Sequence, residues 1–256
     1  MTNEYMEFAK RTAEKAGDII TRYYNTDVDI DFKGKYDLVT EIDFKSEELI
    51  VNSIKERYPE HDIVTEETDW DKTGSDYIWY IDPISGTTNY SHSYPVFSVS
   101  IGLTLNDEII AGAVFDPLRD ELFCASNENG SYLNGDEIKV SDVSELEDSL
   151  IGTGFPYNID ERRKNLEYFN SMVPEIQGIR RCGSVAIDLC HVACGRLDGF
   201  WAVGLKPWDV SAGIIILEEA GGKVSNIDRN NYGLGDFDIL ASNGHLHDTM
   251  SLTLND

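Results

Sequence analysis

The stretch Trp79-Tyr80-Ile81-Asp82-Pro83-Ile84-Ser85-Gly86-Thr87-Thr88-Asn89-Tyr90 runs from an apolar strand straight into an acid, a proline and a Gly-Thr turn. A carboxylate, a free backbone carbonyl and turn amides therefore meet at one strand end. Such a group can hold a hard cation and an anionic group together. A neutral hydroxyl, Ser85, stands where a carboxylate would suit that task better.

On the N-terminal side of this stretch, residues 4–24 read as an amphipathic helix carried by Tyr5, Phe8, Thr12, Ala16, Ile19, Ile20 and Tyr23. Residues 44–58 read as a second helix, opened by Asp43 and closed before Pro59. A short strand, Ile63-Val64, ends at Glu66-Glu67, and Tyr77 to Ile81 is the next strand. On the C-terminal side the pattern predicts an antiparallel meander: 96–105, 109–115, 122–125 and 131–133, with Asn134-Gly135 as a hairpin turn. The second half alternates. Strands are expected at 150–153, 178–181, 199–202, 224 and 239–241, and helices at 160–173, 184–193 and 208–220, the last ended by Gly221-Gly222. Helices, a meander and then alternating units predict stacked layers of helix and sheet.

Bulk composition narrows the function. The chain has 256 residues, 41% of them hydrophobic, enough for one large domain or two closely packed halves. Its 21 basic and 47 acidic residues give a formal charge of −26, which argues against nucleic acid as a partner. Most of these acids read as a solvated surface, which would also suit a saline cytoplasm. No run approaches membrane-span length, and the acidic N-terminus lacks the order of a signal peptide, so the expectation is a cytoplasmic protein with no membrane partner. Cys124, Cys182, Cys190 and Cys194 form no C-x-x-C pair and read as free thiols. Cys190 and Cys194 are four apart on one predicted helix, but no neighbouring His or Cys pair completes a zinc site. The histidines lack metal spacing beyond a weak His245-x-His247.

Four acids stand at element ends: Asp43, Glu66, Asp82 and Asp209. Oxygen donors from separate loops are what Mg²⁺ needs. Each acid alone has a simpler reading. Asp43 and Asp209 suit helix N-termini, Glu66 the surface, and Asp82 an ordinary turn. Four such coincidences together are less economical than one metal site.

These positions carry a resemblance to the inositol monophosphatase family of lithium-sensitive, Mg²⁺-dependent phosphatases. Asp37-Leu38-Val39-Thr40-Glu41-Ile42-Asp43 is similar to its D-x-V-T-x-x-D element. Glu66-Glu67 resembles G-E-E, with Thr65 in place of the glycine. Asp82 to Tyr90 resembles D-P-I-D-G-T-x-N-[FY]. Trp208-Asp209-Val210-Ser211-Ala212-Gly213 followed by Glu219-Ala220-Gly221-Gly222 resembles W-D-x-[AS]-A-G and E-A-G-G. The resemblance spans nearly the whole chain. It implies an α/β (α+β layered) fold of alternating helix and sheet layers, one domain over 1–256, with an N-terminal α+β half over about 1–148 and a C-terminal α/β half over about 149–256.

It also implies Mg²⁺-dependent hydrolysis of a small phosphate monoester (inositol monophosphate or a related sugar phosphate), a homodimer and inhibition by Li⁺. Glu66, Asp82 and the Ile84 carbonyl would hold one metal. Asp82, Ser85 and Asp209 would hold a second. Thr87, with Asp43 behind it, would orient the attacking water, and Gly86-Thr87 would receive the phosphate. Either Lys33 or Lys35 matches a nearby family lysine.

Two positions depart from the family pattern. Ser85 replaces an aspartate, which predicts a weak second metal. Ala202 replaces a glutamate that contacts substrate hydroxyls, which loosens selectivity. An engineered substitution would explain Ser85 alone; a divergent member explains both. The rivals within this frame are a catalytically weak or dead member that binds a sugar phosphate or a partner, and a sugar bisphosphatase or 3′-nucleotide phosphatase. Other frames fail on their residues. Asp27-Val28-Asp29 has a phosphatase-like D-x-D but polar residues before it, and an EF-hand would need glycine at Phe32 and glutamate at Leu38. No G-x-G-x-x-G opens a helix, and Ser85 is in no G-x-S-x-G.

Overall fold

The computed structural model describes residues 2–26, 30–32, 38–68 and 73–256. Helices α1 (Thr2–Tyr23) and α2 (Glu41–Arg57) cover one face of a seven-stranded sheet in the order β3-β4-β5-β6-β7-β8-β9. Its strands are β3 (Asp62–Thr65), β4 (Tyr77–Ser85), β5 (Ser98–Leu105), β6 (Glu108–Asp116), β7 (Glu121–Ser126), β8 (Ser131–Leu133) and β9 (Asp136–Glu137). A short hairpin, β1 (Ile30–Phe32) with β2 (Leu38–Thr40), leads into α2, and α3 (Thr87–Ser91) follows β4.

Helices α5 (Val185–Ala193) and α6 (Pro207–Glu219) cover the sheet's other face. Beyond them lies a five-stranded sheet in the order β11-β10-β12-β14-β13. Its strands are β10 (Leu150–Thr153), β11 (Gly178–Arg180), β12 (Gly199–Val203), β13 (Lys223–Ser225) and β14 (Asp238–Ser242). Helices α4 (Ile159–Met172) and α7 (His247–Asn255) close the far side. The result is five layers, helix and sheet in alternation, as the sequence predicted.

Alternation along each strand explains the stacking. In β6, Ala111, Ala113 and Phe115 join the core under α1 and α2, while Val114 joins the core against α5 and α6. In β12, Phe200 and Ala202 face the α5/α6 layer, while Trp201 and Val203 face α4 and α7. Strand β12 is a continuous apolar run because both of its faces are buried. Helix α6 lies so close to the first sheet that a Cβ on Gly102 or Gly112 would collide with Ser211 or Ala212. Such an approach requires glycine.

Several expectations change in detail. The predicted antiparallel meander over 96–133 holds, and β3, for which no pairing was predicted, adds parallel to β4 at the sheet's edge. Helix α2 begins at Glu41, and its N-cap is Thr40; Asp43 sits inside the first turn. Helices α3 and α7 and the β1–β2 hairpin had no counterpart in the sequence reading. The Asn134-Gly135 turn holds, with both residues at positive φ (51° and 90°) between paired Leu133 and Asp136. Among the described residues, no helix is long and apolar enough to cross a membrane.

Candidate active site

Strand β4 loses register with β5 between Asp82 and Ser85, at Pro83, which has no amide to give the ladder. The irregularity turns the strand end into a cleft of about 620 Å³ between the two sheets. Gly86 then takes a left-handed conformation, φ 102°. A Cβ there would lie 3.1 Å from the Val96 carbonyl oxygen and 3.2 Å from that of Gly183, so glycine is required to open α3 at this point. Asn89 fastens the turn, donating to the carbonyls of Val96 (2.7 Å) and Cys182 (2.8 Å).

Seven of the nine residues singled out from sequence line this cleft: Glu66, Asp82, Ile84, Ser85, Gly86, Thr87 and Asp209. Asp43 is fully buried directly behind Thr87. Its Oδ2 accepts from the Thr40 amide (2.8 Å) and hydroxyl (2.6 Å), and its Oδ1 lies 3.0 Å from Thr87 Oγ1. The capping role and the site role of Asp43 therefore coexist. Burial pushes the Asp43 carboxyl up to about 6, against the hydrogen bonds from Thr40 and Thr87. Thr87 Oγ1 is also 3.0 Å from the Ile84 carbonyl oxygen, so its single proton is shared between two acceptors. Asp209 likewise does double duty: Oδ2 accepts from the Lys206 amide at the start of α6 (2.7 Å) while the residue lines the cleft.

Asp82 is the centre. It is 2% exposed, and its Oδ1 has no hydrogen-bond partner among the described residues. Burial raises its pKa well above the ordinary carboxylate range, reinforced by Glu66 and Asp209. A buried carboxylate oxygen without a donor, flanked by two more acids, is satisfied by a divalent cation. Glu66, Asp82, the Ile84 carbonyl and Asp209 supply hard oxygen donors from three separate elements, so the donor set fits Mg²⁺.

Ser85 is 4% exposed and occupies a chain of buried hydroxyls. Ser184 donates to Ser85 at 2.9 Å, and Ser98 lies 3.2 Å from Ser184. Ser184 has one proton, so Ser98 must donate to it. The Ser85 hydroxyl in turn donates to the Asp82 carboxylate, which partly offsets the raised pKa. Ser184 also caps α5 by accepting from the Ile187 amide. Sequence reasoning started a helix at Ser184 but missed its reach to Ser85.

Ala202 is a correction. It is fully buried in β12, in the core against α5 and α6, and does not line the cleft. Its methyl group faces the hydrophobic layer because side chains alternate along the strand. The wall near it is Gly154. Sequence reasoning also missed Phe155, Tyr157, Arg181 and Phe237, which line the outer cleft. It missed the supports Ser46, donating to the Pro83 carbonyl (3.0 Å), and Glu47, accepting from the Glu67 amide (3.1 Å). Both lie on the inward face of α2. Asp37, Lys33, Lys35 and the Asp27–Asp29 segment lie outside the described residues.

Known proteins resemble this chain over nearly its whole length. The family model described as "Inositol monophosphatase family" matches residues 1–255. An inositol-1-monophosphatase from Synechocystis sp. is 43% identical over 253 residues, covering 98% of this chain and 88% of the relative. The solved structure of inositol monophosphatase from Anabaena (Nostoc) sp. superposes with a TM-score of 0.90 at 42% identity, over 99% of this chain and 96% of that one. The extragenic suppressor protein suhB from Bartonella henselae superposes at 0.95 with 34% identity, over 99% of both chains.

Proposed function

The chain belongs to the inositol monophosphatase family, whose members are phosphoric monoester hydrolases, and from that premise we propose that it hydrolyses a small phosphate monoester with Mg²⁺ held by Glu66, Asp82, the Ile84 carbonyl and Asp209. The observation that carries this reading is the Oδ1 of buried Asp82, which has no donor among the described residues and shares its surroundings with the Glu66 and Asp209 carboxylates. When bound, the ion supplies Lewis-acid stabilisation of the phosphoryl group and makes water a better nucleophile.

The chain's own groups do the rest. Asp43 is held rigidly by Thr40 and is poised at about 6, close to a working pH. Fully buried, it acts through Thr87. When the Thr87 hydroxyl donates to Asp43, its lone pairs are left to accept a proton of a water, orienting that water toward the phosphorus. The Gly86-Thr87 amides are the proposed phosphate seat, which helps a chain of charge −26 accept an anion. No covalent phosphoenzyme is required.

The substrate is an inositol or sugar monophosphate in this reading, with loose selectivity. The outer wall combines Phe155, Tyr157, Trp208 and Phe237 with Arg181 and Lys206. That wall also supports the narrower alternatives of a sugar bisphosphate or a 3′-nucleotide phosphate. The homodimer and Li⁺ inhibition belong to the same proposal, checked by light scattering and by Li⁺ titration of turnover.

Phosphate release from a panel of inositol, sugar and nucleotide phosphates, with and without Mg²⁺, tests the proposal. Turnover is expected only with Mg²⁺, and Asp82→Asn is expected to lower it at least about 100-fold. Asp82→Asn turning over like the native chain would overturn the assignment. A second reading, a binder of sugar phosphate with little catalysis, is favoured by Ser85 and its neutral hydroxyl chain. It holds if the native chain is inert across the panel while Ser85→Asp turns over.

A further inference from the structure

A second group of ligand-type side chains shares no member with the proposed Mg²⁺ site. Cys182, just before α5, meets Asp188 and His191 on that helix, and one ligand atom from each lies within 4.8 Å of the other two. Asp188 and His191 are three residues apart and so share a helix face. This contact was not legible in the sequence, where the completing pair was sought around Cys190 and Cys194.

Two features distinguish the cluster from a casual contact. Asp188 is 1% exposed; its carboxyl accepts a hydrogen bond from Cys182, yet its Oδ1 has no hydrogen-bond partner among the described residues. Buried polar atoms are ordinarily satisfied, and an orphan points to a missing partner. The donor set is also different in kind. A thiolate, an imidazole and a carboxylate suit a borderline-soft ion such as Zn²⁺, whereas Mg²⁺ prefers oxygen alone.

We infer that Cys182, Asp188 and His191 form a site for a single Zn²⁺-class divalent cation, with a fourth position open toward the cleft that Asp188 lines. Tetrahedral zinc places such ligand atoms about 3.3–3.6 Å apart, so side-chain motion of about 1 Å closes the site. Binding replaces the Cys182 S–H bond with a metal–sulfur bond and releases that proton to solvent. The neighbouring charges act on both sides. Burial and the neighbouring Asp188 push the Cys182 thiol up to about 12, against Arg119 and Arg180, so the thiolate forms only as the metal displaces its proton; burial, with Arg196 and Arg119, keeps His191 in its neutral, ligating form. Arg181 beside Asp188 opposes a cation, and Glu121, paired with Arg196, favours one. Burial, which holds His191 near 4, keeps it neutral at physiological pH. The inference stands apart from the phosphatase reading and shares none of its ligands.

Titration with Co²⁺ in saturating Mg²⁺ tests it. The expected result is one Co²⁺ per chain with a thiolate-to-cobalt charge-transfer band, a signature that an all-oxygen site cannot give. Cys182→Ser should abolish the band. His191→Gln should weaken binding at least about tenfold, and Cys194→Ser should leave it intact. Absence of the band in the native chain, or its persistence in Cys182→Ser, overturns the site. Should Cys182→Ser fail to fold, alkylation of the native chain decides instead: Zn²⁺ should protect Cys182 and not Cys194, and equal labelling of Cys182 with and without Zn²⁺ refutes the proposal.

Discussion

Ser85→Asp sets the metal site against the apo fold. Ser85 is 4% exposed beside Asp82, which already shares its surroundings with Glu66 and Asp209. Two like charges about 5 Å apart at an effective dielectric of about 20 repel by about 3 kcal/mol. A fourth carboxylate should therefore destabilise the metal-free protein by about 3 kcal/mol, roughly 6–12 °C in Tm for a chain of this size. A donor is in place, because the Ser184 hydroxyl already points at this position. Mg²⁺ offsets most of this cost. Affinity for a second ion should rise about 10–100-fold, and metal at about 100 times its Kd returns about 2.7 kcal/mol. The assay is a pair of thermal melts, with and without Mg²⁺, beside a calorimetric Mg²⁺ titration. A lower apo Tm that Mg²⁺ restores, with a second binding step absent from the native chain, is the expected outcome. An unchanged apo Tm together with unchanged Mg²⁺ stoichiometry would show that position 85 does not face the cation.

Thr87→Ala removes the hydroxyl between Asp43 and the cleft, and kcat should fall about 10²–10⁴-fold with KM little changed; steady-state kinetics reads this directly. Asn165→Ala strands the buried Trp201 indole N–H (2.8 Å) and the Gly154 carbonyl (2.6 Å). It should cost about 2–4 kcal/mol in denaturant unfolding. His247 is buried between the hydroxyls of Ser225 (2.8 Å) and Ser242 (2.9 Å), and burial holds its pKa down at about 4. The fold thus favours the neutral ring. Its contribution is complete above the unfolded value of about 6.5 and is lost as pH falls from there toward 4, by up to about 3 kcal/mol. Replacing it, as in His247→Gln, should flatten the native chain's loss of stability over that window, as urea melts at pH 7 and pH 4.5 would show.

Local chemistry made much of this molecule readable from sequence. Strands β5 to β8 follow from alternation and the Asn134-Gly135 turn, because each pairs with its neighbour in the chain. What failed to show depends on partners far away in sequence. Nothing local says that β3 runs parallel to β4 or that Ser184 reaches Ser85. The orientation of Ala202 was hidden for a different reason. A strand buried on both faces, Gly199-Phe200-Trp201-Ala202-Val203, has no polar residue to mark its phase. Motif position placed Ala202 in the site, and only the pleat shows that its methyl group faces the core.

The acids at element ends carry a more general point about cap residues. Asp43 and Asp209 each satisfy a backbone amide at a helix start, and that role alone would explain them. Yet each cap uses one carboxylate oxygen, and the hydrogen bond fixes where the other oxygen lies. In Asp43 the remaining oxygen meets Thr87; in Asp209 the residue remains on the cleft wall beside Asp82. Capping is thus how the site acquires rigid carboxylates without lengthening its loops. Stability and site geometry are then coupled in a measurable way. Replacing either acid by asparagine, which can still accept a capping bond, should disturb the cleft's chemistry more than the helix it caps.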